Sequence, residues 1–182
     1  MKSIAVYCGA APGDSPIYAE AARAMALALV ERGIALVYGG GNVGLMGVIA
    51  DEVLRLGGEV RGVIPRTLMA REVGHTGLTE LFVVADMHER KAKMAALADG
   101  FVAMPGGMGT LEELFEMLTW AQLGIHAKPV GVLNVAGYYD GLVGFIAHGR
   151  DQGFISARHA ALMLVETTPR ALLDLLGAGA DS

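Results

Sequence analysis

Three stretches of this chain carry residues whose types and spacing suit ligand chemistry. The richest is Pro105-Gly106-Gly107-Met108-Gly109-Thr110-Leu111-Glu112-Glu113. A glycine-rich turn opening a helix presents free backbone N–H groups, and a threonine hydroxyl beside them suits a terminal phosphate. The lysine of a Walker loop is missing, so this is not an NTPase P-loop. The same residues also read as a tight strand-to-helix turn, with Thr110 and Glu113 spaced as a capping box. The second stretch, Gly39-Gly40-Gly41-Asn42-Val43-Gly44, matches G-x-G-x-x-G. It follows the second predicted strand rather than the first. The next strand begins at Glu59 and ends at Pro65-Arg66, without the acid that would hold a ribose. Mononucleotide binding and close helix–sheet packing both remain open there, and NAD is disfavoured. The third stretch is Met87-His88-Glu89-Arg90-Lys91-Ala92-Lys93-Met94. Arg90 and Met94 are four apart and share a helix face. Either Arg90 grips a phosphate with Met94 beneath a flat base, or Met94 is core under a solvated basic helix.

These stretches must be positioned by the elements around them. Short apolar runs at 3–8, 34–38, 59–64, 81–85, 101–104, 130–135 and 161–165 read as strands. Helical patterns separate most of them. Ser15 and Pro16 open the first helix, and Gly33 stops it. Later helices are expected from Gly44 to Leu56, His88 to Ala98, Thr110 to Leu123 and Tyr138 to Gln152, with a short one at the end. Residues 66–80 have a weak pattern and read as a long functional loop. Strands that are apolar throughout, linked by crossover helices, predict a parallel sheet covered on both faces. The expected fold is one doubly wound α/β domain over 1–177 with a flexible tail at 178–182. In such a fold ligands sit beyond the carboxyl ends of the strands, where the three stretches fall.

Composition narrows the function classes. Glycine supplies 26 of the 182 residues, roughly twice its usual share. Apolar residues make up 53% and charged residues 18%, which excludes intrinsic disorder. That balance also leaves apolar surface for a subunit interface, with the helices after Gly44 and Thr110 as candidates. The most apolar helical stretch, Ile17 to Val30, is interrupted by Glu20 and Arg23, so no membrane span is expected. A net charge of −5 argues against general nucleic-acid binding. The single cysteine, Cys8, and the absence of a leader pattern predict a cytoplasmic protein. The five histidines show no metal-ligand spacing, and no metal or cofactor is expected.

Taken together, the motifs resemble the LONELY GUY (LOG) family of cytokinin riboside 5′-monophosphate phosphoribohydrolases. The family pattern P-G-G-x-G-T-x-x-E is met at Pro105, Gly106, Gly107, Gly109, Thr110 and Glu113. Its D-M-H-x-R-K segment is met at Asp86, Met87, His88, Arg90 and Lys91. The stretch from Thr119 to His126, the segment Lys128-Pro129-Val130-Gly131 and the Gly40-Gly41 loop are also similar. The resemblance implies a Rossmann-like, dimeric hydrolase. It would cleave adenine-type nucleoside 5′-monophosphates to free base and ribose 5-phosphate. It further implies Arg90 and Glu113 as the catalytic pair and Gly107, Gly109 and Thr110 as the phosphate pocket. Glu72, Lys91 and Thr119 would complete the substrate contacts. Gly106, Met108, Leu111, Glu112, Gly40, Gly41, Gly44 and Met94 are the remaining expected binding positions. One position departs from the family: Ala10 stands where a serine follows Cys-Gly, which removes a hydroxyl contact.

Overall fold

A computed structural model describes residues 1–69 and 74–178. Seven parallel strands form one sheet in the order β4-β3-β2-β1-β5-β6-β7. They are β1 (Ser3–Tyr7), β2 (Ala35–Tyr38), β3 (Val60–Pro65), β4 (Glu80–Val84), β5 (Gly100–Ala103), β6 (Val130–Leu133) and β7 (Met163–Glu166). Strands β1, β2, β5 and β6 are buried along their whole length, as parallel strands covered on both faces must be. The chain winds outward from β1 to β4, then crosses back to lay β5 beside β1. The carboxyl ends of β1 and β5 therefore flank the topological switch point.

Helices cover both faces. On one side, α1 (Pro16–Glu31), α2 (Gly44–Arg55) and α7 (Pro169–Ala178) enclose a core of Met25, Leu29, Ile49, Val53 and Leu172. On the other, α3 (Met87–Leu97) and α4 (Met108–Gln122) bury Met94, Leu114 and Met117 against Phe101 and Val132. The remaining helices are α5 (Asp140–Asp151) and the short α6 (Ala157–Ala160). Ser15 caps α1 by accepting from the Ile17 N–H, and Gly33 ends that unit at φ +64°.

Several expected boundaries shift, each for a local reason. Helix α4 begins at Met108, two residues before Thr110, because extended Gly107 serves as its N-cap. The expected Thr110–Glu113 capping box is thereby lost. A reciprocal cap forms instead at α3, where Asp86 Oδ1 accepts from Glu89 N and the Glu89 carboxylate accepts from Ala85 N. Helix α5 begins at Asp140 rather than Tyr138, because Asn134 bonds both Tyr139 N and the Asp140 carboxylate and holds Val135–Gly137 in a 3-10 turn. The last strand starts at Met163, since Ser156 caps α6 ahead of it. Helix α7 runs through Ala178, one residue past the expected domain end. The rest of the expected tail lies outside the described residues. Residues 66–69 and 74–79 hold no helix or named strand, as the weak pattern predicts, although Gly74 makes an antiparallel bridge with Gly41.

Candidate active site

Arg90 sits in the first turn of α3 and is only 5% exposed. Its Nη2 donates to the Gly39 carbonyl at 3.1 Å, tying α3 to the end of β2. A β-carbon on Gly39 would overlap that nitrogen, so the glycine is what admits the guanidinium. Arg90 lines a cleft of about 260 Å³ together with Glu113, Thr110, Gly107, Gly109 and Ala10. Its apolar walls come from Met46, Met87 and Leu68.

The floor of the cleft is the start of α4. A first-turn N–H has no acceptor inside its helix, and Gly107 has no side chain with which to cap. The N–H groups of Met108, Gly109 and Thr110 thus form a small positive pole at the cleft. Gly106 is packed so tightly against Gly9 N and the Thr110 hydroxyl that a side chain there would collide with both.

Glu113 and Glu112 line the cleft, and Lys91 holds Glu112 at 2.5 Å and Glu116 at 3.0 Å. Burial alone would lower the Lys91 pKa, but the hydrogen bonds to Glu112 and Glu116 outweigh it and raise the value. The ammonium thus stays charged and locks α3 to α4. Burial, reinforced by Glu113 and Glu116 and offset by Arg90, pushes the Tyr7 phenol up. Burial likewise raises the Cys8 thiol, with Glu113 adding to it. Neither group is a nucleophile at neutral pH. A larger depression of about 550 Å³ lies at the opposite end of the sheet. Its acids are satisfied there, Asp99 by the Lys2 and Ser3 amides and Glu59 by Arg61.

An arginine, a carboxylate and a helix start around one cleft suit an anionic sugar phosphate. Comparison with known proteins agrees with that chemistry. The sequence model of a family described as "Possible lysine decarboxylase" matches residues 46–176. Cytokinin riboside 5′-monophosphate phosphoribohydrolase LOG7 of Arabidopsis thaliana is 55% identical over 171 residues, covering 94% of this chain and 78% of that protein. The enzyme of that activity named LOG in Oryza sativa subsp. japonica is 51% identical over 173 residues, covering 95% and 72%. The chain belongs to the LOG family. The fold is also that of a molybdenum cofactor binding protein from Rippkaea orientalis, with a TM-score of 0.71 and 19% identity over 97% of this chain and 96% of that one. The molybdenum cofactor carrier protein of Chlamydomonas reinhardtii gives 0.70 at 18% identity, covering 100% and 99%. Both likenesses concern the fold alone.

Set against the family pattern, the structure gathers Arg90, Glu112, Glu113, Gly107, Gly109 and Thr110 around the cleft. Gly106 borders an adjoining cleft of about 380 Å³, which shares Ala10 and Gly107 with the first. Other expected positions do different work. Met94 is fully buried in the core and supports no base; Met87 and Met46 are the methionines at the cleft. Gly44 packs so close to the Ala10 backbone that it admits no β-carbon, and Leu45 N donates to Gly9 O at 2.9 Å. One first-turn amide of α2 is therefore taken by the protein's own carbonyl. Gly40 and Gly41 anchor the segment after β3 through the Gly40 O–His75 N bond and the Gly41–Gly74 bridge. Lys91 is spent on its two glutamates. Thr119 faces outward on α4 with its hydroxyl donating to Phe115 O, beside Ile146 and Ile155. Leu111 joins the partly buried layer under α4, and Met108 stands 84% exposed at the helix start. Glu72 lies outside the described residues.

Sequence reasoning placed Gly39 only within the glycine run and missed its role as the seat of Arg90. It also missed Met46 and Leu68, which no motif marks. Among the described residues no group of three or more His, Cys, Asp or Glu is placed to hold a metal ion. No helix among them is long and apolar enough to cross a membrane.

Proposed function

We propose that this chain hydrolyses the N-glycosidic bond of adenine-type nucleoside 5′-monophosphates, cytokinin ribosides among them, giving free base and ribose 5-phosphate. The observation that carries this reading is the shared cleft of Arg90, Glu113 and the α4 start. Phosphate docks on the free N–H groups of α4, with Arg90 as its charged partner. That remote binding fixes the sugar so that its anomeric carbon meets Glu113. As the bond to the base breaks, positive charge develops on the ribose, as in glycoside cleavage. The Glu113 carboxylate stabilises that charge and orients or deprotonates the attacking water. Buried Met46 beside Arg90 lowers the local dielectric, which strengthens both charges. A carboxylate alone suffices for this step, so turnover is metal-independent.

The test is incubation of the pure protein with AMP and chelator, followed by assay for adenine and ribose 5-phosphate. Product in the presence of chelator is expected, with adenosine a far poorer substrate. Tight AMP binding without product would instead make the chain a nucleotide carrier.

The same reading makes the protein a cytoplasmic homodimer. Of the two helices expected at the interface, α2 is packed against α1 and turns Asp51 and Arg55 outward. Helix α4 keeps an outward apolar groove instead. Phe115 and Leu118 line it with Ile146 of α5 and Ile155, and Phe145 of α5 and Leu123 and Ile125, which follow α4, are each more than 60% exposed. Apolar surface of that kind marks an interface.

A further inference from the structure

Three consecutive carbonyls of the loop entering α4 each accept a hydrogen bond from outside the loop. Tyr139 Oη donates to Met104 O at 2.7 Å, Gly9 N to Pro105 O at 3.0 Å, and Tyr138 Oη to Gly106 O at 2.6 Å. The last contact matters most. In a planar trans peptide the carbonyl and the following N–H point in opposite directions. A Gly106 carbonyl held on the Tyr138 side therefore sends the Gly107 N–H the other way. Gly107 borders both clefts, the one lined by Tyr138 and the one lined by Arg90 and Glu113. Glycine at both 106 and 107 lets this peptide rotate freely, so an external tie is needed to fix it. Tyr138 is suited to be that tie. Its ring stands edge-on to Tyr139 at 4.9 Å and to Tyr18 at 5.8 Å, and it is offered by the 3-10 turn where Ala136 adopts a left-handed φ of +49°. A non-glycine residue held in that region signals that the turn is imposed by its surroundings.

We propose that Tyr138 is a positioning residue for the phosphate site, aligning the Gly107 N–H with the α4 helix start through the Gly106 carbonyl. This rests on the phosphoribohydrolase reading above for the identity of the anion. It makes Tyr138 a determinant of selectivity for phosphorylated over unphosphorylated nucleosides.

The test is Tyr138→Phe, which removes the hydroxyl and keeps the ring, with Tyr18→Phe as the ring-preserving control. For Tyr138→Phe the KM for AMP should rise about three- to tenfold, the weight of one hydrogen bond. The kcat should stay within about twofold, and the inhibition constant for inorganic phosphate should rise by the same factor as KM. Adenosine hydrolysis should be unaffected, and Tyr18→Phe should match the parent. Unchanged KM and phosphate inhibition would overturn the proposal. So would an equal loss toward AMP and adenosine, which would indicate a loosened structure. If the parent hydrolyses no nucleotide, the functional reading fails, yet calorimetry with AMP and inorganic phosphate still decides this point. Weaker binding by Tyr138→Phe supports it, and equal binding overturns it.

Discussion

Arg90 lies across Gly39, with its Nη2 on the Gly39 carbonyl where any side chain at that position would have to sit. The two residues are 51 apart in sequence. The contact fixes the charged group of the cleft to the central sheet, so the arginine is held in place before substrate arrives. Such preorganisation is what electrostatic catalysis requires.

Gly39→Ala should therefore displace the guanidinium while leaving the fold intact. Overpacking of this kind typically costs about 1–3 kcal/mol. The expected result is a modest drop in Tm with at least a tenfold loss in kcat/KM for AMP. Parental activity in Gly39→Ala would show that the position of Arg90 is unimportant.

Glu113 is the sixth residue of α4, too far along to cap it. Glu113→Gln should consequently keep Tm near the parent and retain AMP binding, while turnover falls about 10²- to 10⁴-fold. Glu112→Gln gives the contrast. It leaves Lys91 paired with Glu116, so both stability and rate should change little. Near-parental turnover by Glu113→Gln would remove the carboxylate from the mechanism.

The outward groove between α4 and α5 predicts the oligomeric state. Light scattering should give a species of about twice 18.9 kDa for the parent. Phe115→Glu places a charge in the groove and should shift the protein to monomer. A stable parental monomer at micromolar concentration would refute the homodimer.

His126 sets one limb of the pH dependence. Its Nε2 faces Met117 O at 3.0 Å and its Nδ1 accepts from Lys128 N at 3.1 Å, an arrangement that suits the neutral ring. Burial, with nearby Lys128, holds its pKa below the ordinary value of about 6.5. The stabilisation is fully present above that ordinary value and is lost as pH falls through the depressed one, because the unfolded chain binds the proton first. Denaturant titrations should show stability decreasing with acid below about pH 6.5, and a His126→Gln variant should lose that slope. An unchanged slope would assign the acid sensitivity elsewhere, for example to Asp99, whose pKa the Lys2 and Ser3 amides lower.

The sequence alone determined the alternation of strands and helices, the parallel sheet and the placing of glycine-rich turns at strand ends. Those features follow from periodicity and backbone freedom, which are local. It also marked Pro105–Glu113 as either an anion site or a tight strand-to-helix turn, since a glycine turn opening a helix offers the same free N–H groups in any fold. Tertiary structure decided which neighbours those residues met. Strand order put β1 between β2 and β5, and so brought Gly39, Ala10, Arg90 and Glu113 together from four distant segments. It sent Met94 into the core, bonded Leu45 N of α2 to the Gly9 carbonyl and paired Lys91 with Glu112 and Glu116. It also set the start of α4 two residues early, because a glycine cap acts through backbone angles that residue type does not reveal. Spacing along the chain fixes which face a side chain takes, whereas only the packing of the sheet and its helices fixes what that face meets.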